Sequence, residues 1–152
     1  MFHNRTLNNK INRLHERALR IVYKNDNLTF QELLAIDDAV TIHHRNIQKL
    51  ATEMYKIKNN LSPTPMGKIF QNCVHTYNLR SGSFWESNNV RTSRYGSETV
   101  RFRGPKTWDL LPTTIKESET LNEFKTKVKK WIPHDCTCRI CKTYIFGVGF
   151  IY

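Results

Sequence analysis

Apolar residues in the first third of the chain recur at helical spacing. Leu7, Ile11, Leu14, Ala18 and Ile21 are separated alternately by four and three positions, the beat of one helix face, and predict a helix from about residue 6 to Tyr23. Lys10, Arg13, Arg17, Arg20 and Lys24 keep the same beat on a neighbouring stripe, so one face can dock while its neighbour faces phosphates. Asn25, Asp26 and Asn27 interrupt the pattern. Thr29 and Glu32 then have the T-x-x-E spacing of a capping box, which opens a short second helix through FQELLAI. A third helix is expected after Asp37 and Asp38, with Ile42, Ile47, Leu50, Met54, Ile57 and Leu61 at helical spacing and Ser62 to Pro65 ending it. Residues 1–62 therefore read as a three-helix lobe.

The pattern changes in residues 63–152. Asn, Ser, Gly and Arg dominate residues 71–98, which suggests turns and short strands. Val100 and Phe102 alternate with Thr99, Arg101 and Arg103, the period of a strand. Val90 to Tyr95 is its expected partner across a loop at Gly96, Ser97 and Glu98; that register sets Thr92 against Phe102 and puts Arg91, Arg101 and Arg103 on one outer face. GPKTWDLLP is read as a short helical turn that buries Trp108 and Leu111. Thr120 and Glu123 form a second capping box. Leu121, Phe124, Val128 and either Trp131 or Ile132 supply the apolar face of a last helix, around which lie Lys125, Lys127, Lys129 and Lys130, and Pro133 terminates it. The expected fold class is α+β, mainly α: the three-helix lobe, then a small β-hairpin, a basic helix and a cysteine-rich C-terminal turn.

Charge sharpens this picture. The 152 residues carry a formal charge of +11, divided as +4 over residues 1–60 and +7 over residues 61–152, so no detachable basic tail accounts for it. A polyanion, RNA or DNA, is the partner this composition favours. Helix stripe, hairpin face and terminal lysines are three separate basic elements, and the residues expected to meet phosphates are Lys10, Arg13, Arg17, Arg20, Lys24, Arg91, Arg101, Arg103, Lys127 and Lys130. No recognition-helix or ribonucleoprotein aromatic pattern accompanies them, so base readout is not implied. The longest apolar run, Ile145 to Tyr152, is interrupted by Gly147 and Gly149 and falls short of the ~20 residues of a membrane span. With no apolar leader at the N-terminus, the expected location is intracellular, nuclear or cytoplasmic, and not secreted.

Three of the four cysteines, Cys136, Cys138 and Cys141, stand within CTCRIC. Thiols crowded so closely in a reducing compartment suit zinc, as thiolates, with His134 or a distant group such as His75 as the fourth ligand. Three reduced structural cysteines at a turn are the plainer alternative. Asp37 and Asp38 invite a two-metal reading, but adjacent aspartates between two helical patterns are better explained as an N-cap and a first-turn charge. No third carboxylate shares their context. The chain has no GxxxxGK[ST], GxGxxG, HExxH or GxSxG motif. His43 and His44 are read as polar residues of the third helix. No catalytic residue is assigned, and the chain is not expected to be an enzyme.

The order of these segments resembles the C-terminal, post-polymerase region of reverse transcriptases encoded by jockey-like non-LTR retrotransposons. The blocks that carry the likeness are NRLHERALRIVY, FQELLAIDDAVTIHHRNIQKLATEMYKIKNNLSP, YNLRSGSF with NVRTSRYGSETVRFRGPKTWDLLP, SETLNEFKTKVKKW, and CTCRICKTYIFGVGFI. They run from about Ile11 to Ile151. The resemblance implies thumb-side helices and a tail beyond an RNA-directed DNA polymerase active site. The family's signature of an aromatic residue, any residue and two aspartates is absent, and Asp37 and Asp38 do not match it. Fingers, palm and endonuclease are missing too. What carries over is auxiliary RNA or DNA binding, with zinc at the cysteines, in what reads as a fragmentary copy of a mobile element or a truncated gene. The alternatives are a self-standing zinc-dependent nucleic-acid-binding module and a relic without function.

Overall fold

The structure, a computed structural model, describes residues 5–70, 84–86, 90–92, 96 and 99–132. Seven helices run through them: α1 (Arg5–Tyr23), α2 (Phe30–Ile36), α3 (Ile42–Lys58), α4 (Thr64–Gly67), α5 (Val100–Asp109), α6 (Thr113–Lys116) and α7 (Leu121–Lys130). The described residues divide between two compact units at Asn46 and Ile47, which places the boundary inside α3, after its first turn.

In the first unit, α1 stops at Tyr23 because Lys24 takes a left-handed conformation, φ 48°, and the Asn25 side chain accepts the Asn27 N–H at 3.0 Å to form a local turn. The capping box of α2 is present in both directions. The Thr29 hydroxyl accepts the Glu32 N–H, and the Glu32 carboxylate accepts the Thr29 N–H at 2.7 Å. Buried Leu33 and Leu34 from α2 pack with Leu19 from α1, and Tyr23, Leu28, Phe30 and Ala39 close around them.

The two aspartates end α2 rather than starting α3. Asp37 is its C-cap and Asp38 follows in the left-handed region, φ 48°. Ala39 N–H reaches Leu34 O at 2.9 Å and Asp38 N–H reaches Ala35 O at 3.4 Å, the two bonds of a Schellman motif. This corrects the N-cap expectation, and the physical reason is the left-handed conformation that a short Asx side chain tolerates. The Asp37 carboxylate accepts the Tyr23 hydroxyl at 3.0 Å, which holds the phenol above its ordinary pKa. Thr41 caps α3 instead, its hydroxyl accepting the His44 N–H at 3.4 Å. Asn12 of α1 helps, taking the Ile42 N–H on its side-chain oxygen at 3.3 Å.

The second unit is built on the rest of α3. Ala51, Met54, Tyr55 and Ile57 form a core with Phe70, Trp85, Trp108, Leu111, Ile115, Phe124 and Val128. Phe124 is fully buried and stacks on Tyr55 at 4.2 Å between ring centroids and on Trp108 at 6.2 Å; burying such a ring is worth about 1.5–3 kcal/mol. The Tyr55 hydroxyl donates to Ser118 O at 2.8 Å in the interior. α3 ends in a second Schellman pair, Leu61 N–H to Lys56 O and Asn60 N–H to Ile57 O, with Asn60 at φ 55°. Thr120 caps α7, as its spacing predicts, by accepting the Glu123 N–H at 3.2 Å; the Glu123 carboxylate reaches back to Glu119 N–H at 3.0 Å. At the other end, Gln48 donates to Lys129 O and Trp131 O at 3.1 and 3.0 Å, satisfying carbonyls that a helix terminus leaves open. Trp131 packs against the core and Ile132 is exposed.

The expected β-hairpin is overturned: among the described residues there is no strand, and Val100 to Arg103 are the first turn of α5. Thr99 is the N-cap residue, its carbonyl accepting the N–H groups of Phe102 and Arg103. The alternation over five residues was only part of a longer helical stripe. Gly104, Thr107, Trp108 and Leu111 are buried and half-buried Val100 packs against the core, so the inward positions follow steps of four, three, one and three. Gly104 lets α5 approach closely, since a Cβ there would lie 2.6 Å from Met54 Sδ and 2.9 Å from a Phe70 ring carbon. The mainly α part of the fold-class expectation stands; the β part does not.

Candidate nucleic-acid interface

α1 has three faces, which follow from about 100° of rotation per residue. Asn8, Asn12 and Leu19 are buried, with His15, Glu16 and Tyr23 half-buried beside them. Lys10, Arg13, Arg17 and Arg20 occupy a second arc of about 80°, and Lys24 follows just past the helix end. Four of these five are exposed and Arg20 is half-buried. The Arg20 guanidinium is held by Glu16, one helical turn back, at 2.8 Å. The others form no ion pair among the described residues. From Lys10 to Arg20 the row is about 15 Å long at 1.5 Å per residue, roughly the axial rise of four phosphates on one strand of a duplex.

The third face holds the apolar stripe, and it is turned to solvent. Leu14 is 63% exposed and Ile21 76%, with Leu7, Ile11, Ala18 and Val22 exposed as well. The helix expected at residues 6–23 is there, but the side it buries is rotated by about 120° from the apolar stripe. Polar Asn12 sits inside because it caps α3.

The other basic candidates are not gathered in this way. Arg91 and Arg101 are exposed and Arg103 is half-buried; on a helix Arg101 and Arg103 lie about 200° apart and cannot share the outer face a strand would give them. Lys127 is occupied, pairing with Glu123 at 2.7 Å and donating to Thr114 O at 3.1 Å. Lys130 is exposed. Three lysines that the sequence did not single out have defined settings. Lys58 stands 5.2 Å from the Phe84 ring centroid and 5.3 Å from that of Trp108, and Lys106 lies 4.0 Å from that of Phe102. Partial burial lowers the pKa of Lys116, with Lys58 adding to the effect and Asp109 opposing it. The Phe102–Lys106 pair, four apart on one helix, was legible as spacing once α5 was known to be a helix.

Comparison of the chain with family models, with curated proteins and with solved structures finds no match. The assignment therefore rests on the residues themselves.

Cys136, Cys138, Cys141 and His134 lie outside the described residues, as do Cys73 and His75. Among the described residues no group of three or more His, Cys, Asp or Glu side chains is placed to hold a metal ion. Among the same residues no helix is long and apolar enough to cross a membrane.

Proposed function

We propose that this chain is an auxiliary RNA- or DNA-binding segment of a retrotransposon reverse transcriptase, from the region that follows the polymerase, and that these residues perform no chemistry of their own. The observation that supports the binding role most directly is the row of four cations on one arc of α1 with Lys24 just past its end, all but Arg20 exposed and without a carboxylate partner among the described residues. A row of this length meets several phosphates of one strand, and each contact releases counterions, so modest individual contacts sum to salt-sensitive affinity without base readout. Asp37 and Asp38, the carboxylates nearest to a catalytic pattern, serve as helix terminators, which agrees with a binding rather than a catalytic part. The thiols of Cys136, Cys138 and Cys141, with His134, carry the zinc component of this reading on ligand chemistry alone.

Fluorescence anisotropy against a single-stranded RNA and a DNA duplex at a series of salt concentrations tests the proposal. Replacing Arg13, Arg17 and Arg20 by Gln is expected to weaken both and to reduce the slope of log K against log salt by about 0.7–0.9 per lost phosphate contact. An unchanged slope in a folded triple variant would refute the role of this face.

A further inference from the structure

The apolar stripe of α1 follows a heptad rather than a random scatter. Leu7, Leu14 and Ile21 occupy one core position, d, and Ile11 and Ala18 the other, a, so the spacing alternates four and three as in a coiled-coil seam. All five are exposed. A seam two positions wide is what a second helix covers, whereas a helix lying in a lipid interface presents a broader apolar face, commonly with Trp or Phe. This stripe contains no aromatic residue.

Charge selects the second helix. The g positions that border the seam on its open side are Lys10 and Arg17, with Lys24 at the same register just past the helix end and Arg13 and Arg20 next to them at c. The e positions on the other border are buried Asn8, half-buried His15 and exposed Val22. No acidic residue stands at e or g. Two copies paired antiparallel would set g against g, cation against cation; paired parallel, g would meet His15 and Val22 and gain nothing. We infer that the exposed seam of α1 is a docking site for an amphipathic helix of a partner protein whose apolar heptad is flanked by Glu or Asp. The partner's acidic row pairs with Lys10, Arg17 and Lys24 while its a and d residues cover Leu7, Ile11, Leu14, Ala18 and Ile21. This inference shares Lys10, Arg17 and Lys24 with the nucleic-acid reading and adds the apolar face, which that reading leaves unused.

The probe is a synthetic peptide of three heptads with Leu at a and d and Glu at e and g, whose own like charges discourage self-pairing at neutral pH. The control carries Lys in place of Glu. The full-length protein is expected to bind the Glu peptide, with affinity that falls as salt rises, and to bind the Lys peptide at least about tenfold more weakly. Leu14→Gln with Ile21→Gln is expected to weaken binding of the Glu peptide by about tenfold or more, while helix content and oligonucleotide binding stay unchanged. Retained oligonucleotide binding separates failure here from failure of the proposed function. Equal binding of the two peptides, or no binding of either, overturns the inference. So does a seam-dependent dimer in sedimentation equilibrium, or seam-dependent binding to phosphatidylserine-containing vesicles without peptide binding.

Discussion

Replacing Gly104 by Ala sets two effects of known sign against each other at one buried site. In an open helix interior the change is favourable by about 1 kcal/mol, because glycine loses more backbone freedom on folding. At position 104 the new methyl group would stand 2.6 Å from Met54 Sδ and 2.9 and 3.2 Å from two carbons of the Phe70 ring, where relaxed contacts are about 3.5–4.0 Å. Met54 is fully buried and Phe70 nearly so, so neither can swing into solvent, and overpacking of this kind costs about 1–3 kcal/mol. The balance is a net loss of about 1 kcal/mol. Urea denaturation followed by tryptophan fluorescence measures it, since Trp85 and Trp108 lie in the same core. Gly67→Ala is the control: apart from its own stretch of backbone, no atom lies within 4 Å of its Cβ position, and stability should hold or rise slightly. Met54→Ala alone is expected to cost about 2–5 kcal/mol, and the double variant less than the sum of the two singles by at least about 0.5 kcal/mol, because the added methyl occupies space that Met54 vacates. A Gly104→Ala protein more stable than the parent by about 1 kcal/mol, with no coupling to Met54, would show that α5 does not pack this closely on α3.

Tyr55→Phe removes the donor to Ser118 O inside the core and leaves that carbonyl unpaired, so it should destabilise by about 1–3 kcal/mol in the same urea assay. Acid should loosen the starts of α2 and α7: Glu32 is held below the ordinary 4.5 by the Thr29 N–H and then its hydroxyl, and Glu123 by Lys127 and then the Glu119 N–H. Carboxylates with lowered folded-state pKa values contribute stability above the ordinary value and lose it as pH falls through the folded-state value. Helix content by circular dichroism should therefore drop below about pH 4.5, and Glu32→Gln with Glu123→Gln should flatten that part of the curve. Protein purified without chelator should contain near-stoichiometric zinc that a Cys138→Ser variant lacks; metal absent from both, with freely titratable thiols, would refute the zinc reading.

Where local chemistry alone decides, the chain was readable. Thr29 with Glu32, and Thr120 with the Glu123 N–H, cap helices within three residues of themselves, so no distant contact can change their meaning. Trp108, Leu111, Phe124 and Val128 were recognised as core because large apolar groups at helical spacing have few other places to go. The charge row on α1 follows from residue spacing once the helix exists.

Tertiary structure decided the rest. Five alternating residues from Thr99 to Arg103 fit a strand and a helix equally in isolation; packing chose the helix, because Gly104 and Trp108 complete a stripe that fits against Met54 and Phe70. Asp37 and Asp38 could have opened one helix or closed the other, and the left-handed turn at Asp38 settled it. Above all, the pattern of α1 identified an apolar face without saying what covers it. The helix instead buries Asn8, Asn12 and Leu19, since Asn12 satisfies the start of α3 and Leu19 completes the core with Leu33 and Leu34. Periodicity records which residues share a side, whereas burial depends on hydrogen-bond and packing partners brought in from elsewhere along the chain.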